Sequence, residues 1–303
     1  MNKIEMRQIL CPTDFSAPSA RAFEHALALG AWYQAPVTVL HVLPEPVVAA
    51  PALPYAFSPA LLDGSLRAAV QADLSSLVGP ATRAGLHAVG ELRDGSPATE
   101  TVRMAQELHA DLIVMGTHGR TGFQRFVLGS VAETVLRRAP CPVLTVPPRA
   151  SDDADPMFFK RILCATDFSP ASQAAVRYAT ALAAEADASL LLVHVLDRLG
   201  PGSRPEPGSD GNGGPPDFEC AARAQLRRAV APEAREWCQP LEIVARGKPV
   251  PEILRLAAEH EAGLVVMGVH GRSLLDLMAF GSVTHQVVRE AACPVLTVRP
   301  PSR

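Results

Sequence analysis

Two short runs carry most of the chemistry this sequence offers. Residues 115–120 read Met115-Gly116-Thr117-His118-Gly119-Arg120, and nine residues separate Gly119 from Gly129-Ser130-Val131. Residues 267–272 read Met267-Gly268-Val269-His270-Gly271-Arg272, and nine residues separate Gly271 from Gly281-Ser282-Val283. A glycine at the end of a buried strand lets the chain turn without Cβ conflict, and a second one lets a ligand approach the backbone amides. A Gly-Ser pair that opens a helix presents unpaired N–H groups and the positive end of the helix dipole, which together attract an anion. The Ser130 hydroxyl has two uses, as a helix cap or as a donor to a phosphate oxygen. Upstream of each run, a short apolar segment ends in Pro12-Thr13-Asp14 or in Ala165-Thr166-Asp167. A lone Gly-x-x-Gly usually marks a turn. The full spacing occurring twice, each time with a Thr-Asp upstream, points to phosphate binding, the rival reading being glycines that only make the turn.

The elements that must position these residues repeat along the chain. Gln8-Ile9-Leu10-Cys11-Pro12-Thr13-Asp14-Phe15-Ser16 is matched by Arg161-Ile162-Leu163-Cys164-Ala165-Thr166-Asp167-Phe168-Ser169. Asp14 and Asp167 lie 153 residues apart, as do His41 and His194, while Gly95/Gly247, Gly116/Gly268, Gly129/Gly281 and Cys141/Cys293 lie 152 apart. One residue of drift over a whole domain is an internal duplication. The polar stretch 151–156 reads as the linker, which divides the chain into domains of residues 1–150 and 157–303.

Within the first copy the pattern predicts a strand at Ile9–Cys11, and a helix from Ala17 to Ala31 with Ser16 as N-cap. A strand at Val37–Val42 and a variable Pro/Ala-rich segment over 43–62 follow, then a helix from Leu66 to Ala84. Further on come a strand at Ala88–Leu92, a helix from Thr99 to His109, a strand at Leu112–Met115, a helix from Ser130 to Arg138 and a strand at Val143–Val146. Strands apolar on both faces and alternating with helices imply a parallel sheet covered on both sides. The expected fold is therefore α/β: two similar open, doubly wound, five-stranded parallel-sheet domains. Ligands of such sheets sit beyond the carboxyl ends of the strands, where Asp14 also falls. Residues 200–216 hold almost nothing to bury and read as disordered.

Composition narrows the classes. With 48% apolar residues over 303 positions each half can bury a core, and 28 basic against 31 acidic residues give a formal charge of −3. No basic field is present to hold nucleic acid. No run approaches the length that crosses a bilayer, and the amino terminus does not resemble a signal peptide. Six cysteines without a Cys-x-x-Cys pair suit a reducing compartment, so a cytoplasmic location is expected, with no membrane partner. Neither Cys11 nor Cys164 has the spacing of a nucleophile or zinc site, and no metal site made of protein ligands alone is expected.

The repeated Gly-x-His-Gly-Arg with its later Gly-Ser-Val, and the ending Cys-Pro-Val-Leu-Thr-Val at 141–146 and 293–298, resemble the universal stress protein family in its tandem, two-domain form and its ATP-binding branch. The resemblance covers both copies except 43–62 and 200–216, and implies that each sheet is of the Rossmann-like, adenine-nucleotide-binding type. It implies a stress-response regulator or nucleotide-dependent switch that binds ATP, ADP or AMP, with or without Mg. It places Asp14 and Asp167 near the ribose or a divalent cation, and has Val42 and Val195 read the adenine edge through main-chain groups. It wraps the phosphates with Gly116, Gly119, Gly129, Ser130 and Val131, and with Gly268, Gly271, Gly281, Ser282 and Val283, while Arg120 and Arg272 add charge. In the family the last strand pairs domains into dimers, so the two copies are expected to form a pseudo-dimer within one chain, with a homodimer of chains as a further option.

Two departures weaken the second copy: Ala165 replaces Pro12, and Asp276 stands where the first copy has Gln124 and Arg125. If only one copy binds tightly, the first is favoured. His118 and His270 have a packing or ligand-contact reading beside that of general base, and His41 and His194 read as core or pocket wall. Two other functions stay open. A slow ATP hydrolase or nucleotidyl enzyme is disfavoured by the absence of a Ser-Gly-Gly-x-Asp-Ser loop or a Walker loop. A nucleotide-free scaffold would keep the loops as inherited architecture.

Overall fold

Successive side chains of a strand point to opposite faces, so an apolar strand without polar alternation needs cover on both sides. Ile9 and Cys11 enter one apolar layer while Leu10 enters the other, all three fully buried. The computed structural model describes residues 4–44, 59–117, 128–148, 159–197, 216–238, 240–269 and 281–300.

The first half runs β1 (Ile9–Pro12), α1 (Ala17–Tyr33), β2 (Val37–Leu43), α2 (Pro59–Arg83), β3 (Ala88–Asp94), α3 (Pro97–Glu107), β4 (Leu112–Gly116), α4 (Ser130–Arg138) and β5 (Val143–Val146). The second runs β6 (Arg161–Ala165), α5 (Pro170–Glu185), β7 (Ser189–Leu196), α6 (Pro216–Ala229), α7 (Pro232–Cys238), β8 (Leu241–Arg246), α8 (Pro249–Glu259), β9 (Leu264–Gly268), α9 (Ser282–Glu290) and β10 (Val295–Val298). Each half is a parallel sheet in the doubly wound order, β3-β2-β1-β4-β5 in the first and its repeat in the second. β5 and β10 pair antiparallel, Val295 against Thr145 and Thr297 against Val143, so a single ten-stranded sheet passes through both halves. The expected intrachain pairing of the last strands is thus present. Thr145 Oγ1 donates to the Val295 carbonyl at 3.0 Å and Thr297 Oγ1 to the Val143 carbonyl at 3.2 Å, all within the buried seam.

The halves also meet beyond the sheet. Tyr33 donates its hydroxyl to Glu185 Oε2 at 2.7 Å, and the Ile4 amide donates to Glu185 Oε1 at 2.7 Å. Burial and then Glu185 hold the Tyr33 phenol well above its usual value, so it stays the donor.

Helix ends follow local chemistry. Ser16 and Ser169 cap α1 and α5, each accepting from the amide three residues on, and Pro18 and Pro170 sit in the first turns, where a missing N–H costs nothing. Helix α2 starts at Pro59 rather than Leu66, inside the segment read as variable: Pro59 opens it, and Ala60-Leu61-Leu62 are strong helix formers. The second half has two helices in its place, because Pro232 cannot continue α6 and instead opens α7. Most of the 200–216 reading falls outside the described residues. No described helix is long and apolar enough to cross a membrane.

Candidate functional site

In the order β3-β2-β1-β4-β5 the chain steps outward from β1 in one direction and then, after β3, crosses to β4 on the other side. A crevice must open beyond the carboxyl ends at that reversal. A cleft of about 270 Å³ lies there, near the lower end of the range for small-molecule sites. Its walls come from three places: Pro12, Thr13 and Asp14 after β1; Leu40, His41 and Val42 on β2; Met115, Gly116 and Thr117 at the end of β4. Gly129, Ser130, Val131 and Ala132 at the start of α4 close one side, and Ser19, Pro97 and Thr101 complete it.

The loop after β1 is held by its own side chains. The Ser16 amide donates to Asp14 Oδ1 at 3.0 Å and the Ser16 hydroxyl to the same oxygen at 2.5 Å. The Phe15 amide donates to Thr13 Oγ1 at 3.1 Å, and Thr13 Oγ1 meets Ser19 Oγ at 3.1 Å. These bonds impose a left-handed backbone on Phe15 (φ 60°), a conformation that costs a bulky residue of order 1 kcal/mol or more. Its ring then lies against His41, centroids 4.6 Å apart, while His41 Nδ1 is 2.7 Å from the Thr13 carbonyl. The second copy repeats the device: Phe168 has φ 64°, its ring is 4.4 Å from that of His194, and His194 Nδ1 is 2.7 Å from the Thr166 carbonyl. His41 is thus a pocket-wall group that holds the strand-one loop, and His194 holds the matching loop of the second copy.

β1 pairs with β2 only as far as Pro12 against Leu40, with the Thr13 amide donating to the Leu40 carbonyl at 2.8 Å. Beyond that point the β1 side of β2 borders the cleft, and Val42, paired to Arg93 on its other side, lines it. At the opposite wall the cap of α4 falls to Gly129, which has no side chain, and Ser130 is the first helical residue. Gly129 therefore supplies no side-chain cap to the first turn, whose residues Ser130, Val131 and Ala132 line the cleft. Ser130 as a cap is the alternative that this geometry corrects.

Gly116 is needed for a reason other than the expected turn. Its φ is not positive, whereas Gly95 and Gly247 have φ of 127° and 151° and are the true turn glycines. A Cβ on Gly116 would stand 3.1 Å from the carbonyl carbon and oxygen of Pro18, and one on Gly268 only 2.7 Å from Ala171 C and Ser172 N. Both glycines let the first turn of α1 or α5 lie against a strand end, and in the first half Asp14 and the start of α4 line the same cleft as Gly116.

Of the expected first-copy residues the cleft gathers Pro12, Thr13, Asp14, Val42, Met115, Gly116, Gly129, Ser130 and Val131. In the second copy Thr166, Asp167, Val195, Met267, Gly268, Gly281, Ser282 and Val283 occupy the same places by register. The Thr166 amide donates to the Val193 carbonyl at 2.9 Å, the Ser169 amide to Asp167 Oδ1 at 3.0 Å, and the Gly281 amide to the Val269 carbonyl at 2.9 Å. His118, Gly119, Arg120, His270, Gly271 and Arg272, with Gln124, Arg125 and Asp276, lie outside the described residues. Sequence reasoning missed Ser19, Thr101 and Thr117 as wall residues and did not count His41 in the binding set, although its repeat at His194 was a signal. The nearby Cys11 is fully buried, which pushes its thiol up to about 12 and leaves no thiolate to react.

A family model described as the universal stress protein family matches residues 5–147 and again 158–299. The chain belongs to the universal stress protein family. A universal stress protein of Mycolicibacterium smegmatis is 30% identical over 298 residues, covering 96% of this chain and 97% of that one. One from Methanocaldococcus jannaschii is 39% identical over 141 residues, covering 46% of this chain and 81% of the other. The crystal structure of a universal stress protein from Archaeoglobus fulgidus matches with a TM-score of 0.69 at 23% identity, covering 97% of this chain and 96% of that chain. That last likeness concerns the fold. The tandem α/β architecture with a shared sheet is therefore that of a two-domain universal stress protein.

Proposed function

We propose that the protein is an adenine-nucleotide-binding universal stress protein, a switch whose conformation or partners change with ATP occupancy, acting in the cytoplasm. The observation that carries the reading is the meeting, in one cleft, of three features a nucleotide needs. The open edge of β2 at Val42 offers main-chain groups to the base, Asp14 offers a carboxylate to the ribose or to a phosphate-borne cation, and the first turn of α4, which takes no side-chain cap from Gly129, offers amides to phosphate. Gly116 fits this role, because it lines the same cleft and permits the close approach of the first turn of α1. All six cysteines are unpaired, as suits a reducing compartment.

A carboxylate next to a triphosphate repels it unless a cation intervenes, so Mg would enter bound to the phosphates with Asp14 as a contact from the protein. Among the described residues no cluster of three or more His, Cys, Asp or Glu could hold a metal unaided. The described wall contains Asp14 and His41 as its titratable groups, and both are engaged in holding the strand-one loop. That arrangement favours a binder over a hydrolase.

The test is the nucleotide released by heating freshly purified protein, identified and counted by chromatography. Intact ATP near stoichiometric amount supports the binder, ADP or AMP alone would shift the reading to a slow hydrolase, and none, together with no binding of added Mg-ATP, would leave the scaffold.

A further inference from the structure

We propose that the two halves are not equivalent as nucleotide sites, and that the chain holds nucleotide tightly in its first half and weakly, if at all, in its second. The inference rests on the nucleotide reading above and adds its stoichiometry and the residues that set it.

The halves can be compared place by place because their site elements have equal lengths: α3 and α8 have 11 residues, β4 and β9 have 5, and α4 and α9 have 9. The anchoring bonds are equal too, the Gly129 amide donating to the Thr117 carbonyl at 3.0 Å and the Gly281 amide to the Val269 carbonyl at 2.9 Å. Against that constant frame, three wall positions change character. Thr101 becomes Ile253, Thr117 becomes Val269, and Ala132 becomes Thr284.

Thr101 and Thr117 line the first cleft. The Thr101 hydroxyl donates to the Pro97 carbonyl at 2.7 Å, which leaves its oxygen able to accept from a ligand or from water. Ile253 and Val269 stand at the matching positions of the repeat, buried like Thr101 and Thr117, and carry only hydrocarbon side chains. A polar ligand atom facing them gives up its water and finds no partner.

The third change acts on the frame itself. Thr284 Oγ1 donates to the Gly268 carbonyl at 2.8 Å, buried, and so ties the first turn of α9 to the end of β9 at the place that matches the cleft wall of the first half. Ala132, a wall residue of the first cleft, has no hydroxyl with which to make that tie between α4 and β4. One further difference acts in the other direction: Glu133 sits in the first turn of α4, where His285 sits in α9. Its carboxylate is bound by Arg137 at 2.7 Å, which offsets its charge at the helix end. Losing one or two buried polar partners lowers affinity by about tenfold to a hundredfold.

Titration of nucleotide-stripped full chain with Mg-ATP by calorimetry, with bound copies counted by native mass spectrometry, tests the proposal. One tight site is expected, with any second site weaker by about tenfold or more. Asp14→Ala should weaken the tight site and Asp167→Ala should leave it unchanged. Ile253→Thr with Val269→Thr and Thr284→Ala should strengthen the second site at least tenfold. Two equal sites in the unaltered chain, or loss of the tight site on Asp167→Ala rather than Asp14→Ala, would overturn the asymmetry while leaving the nucleotide reading intact. No binding at all would overturn both.

Discussion

Replacing Gly268 with alanine, and separately Gly116, tests the claim that these glycines serve helix-to-strand contact rather than a turn. A Cβ at Gly268 would lie 2.7 Å from Ala171 C and Ser172 N and 2.9 Å from Ala171 O. That is roughly 0.8 Å inside ordinary carbon contact, and all three neighbours are backbone. The first turn of α5 cannot simply retreat, because Ser169 caps it and Ser172 Oγ accepts from Thr166 Oγ1 at 3.0 Å. At Gly116 the nearest atoms are Pro18 C and O at 3.1 Å and Pro18 Cβ at 3.2 Å, so a smaller shift of α1 is enough. Overpacking costs about 1–3 kcal/mol, which assigns about 3 kcal/mol to Gly268→Ala and about 1 kcal/mol to Gly116→Ala. At about 2–4 °C per kcal/mol, Tm should fall by roughly 6–12 °C and 2–4 °C respectively. Thermal unfolding followed by circular dichroism reads both. Equal shifts, or shifts below about 1 °C in both variants, would show that the contact argument is wrong.

Ser16→Ala removes the cap of α1 and a donor to Asp14, and should cost about 1–2 kcal/mol in urea unfolding; a change below about 0.3 kcal/mol would contradict it. Thr145→Val with Thr297→Val keeps the seam's shape but deletes both hydroxyl-to-carbonyl bonds, so hydrogen exchange in β5 and β10 should speed up, by about tenfold for each kcal/mol or so lost. Tyr33→Phe should lower stability by about 1 kcal/mol at neutral pH and leave binding in the first cleft unchanged. Cys11 has a pKa of about 12 when folded against 9.0 for a free thiol, so its contribution is complete below pH 9 and declines between pH 9 and 12, as the unfolded chain loses the proton first. Cys11→Ala should flatten the alkaline stability profile by up to about 1.4 kcal/mol per pH unit, and an unchanged slope would place that thiol in water.

Most of the architecture could be read from period and repeat. Ile9–Cys11 and Leu112–Met115 are apolar at every position, and Val143–Val146 at every position but Thr145, which only a sheet covered on both faces accommodates, and Ser16 marked its helix start correctly. Gly116 was recognised for the wrong reason, because its contact with Pro18 joins residues almost a hundred positions apart and has no local trace. The early start of α2 was hidden by a proline- and alanine-rich composition that also suits a loop. The left-handed Phe15 carries no glycine or asparagine to announce it; side-chain bonds from Thr13 and Asp14 impose it. Thr101 escaped notice because comparing the copies sets Ile253 against it, and a repeat reveals only what both halves kept.

The antiparallel seam between β5 and β10 changes what selection acts upon. Two identical polypeptides joined along such an edge must present the same residues on both sides, so any alteration of one pocket is an alteration of both. Covalent fusion removes that constraint, and it keeps the contact at a fixed local concentration however scarce the chain becomes. Glu185 already illustrates the freedom gained: it clasps Tyr33 and Ile4, whereas its counterpart in the other half is Trp32, a residue with no carboxylate to offer.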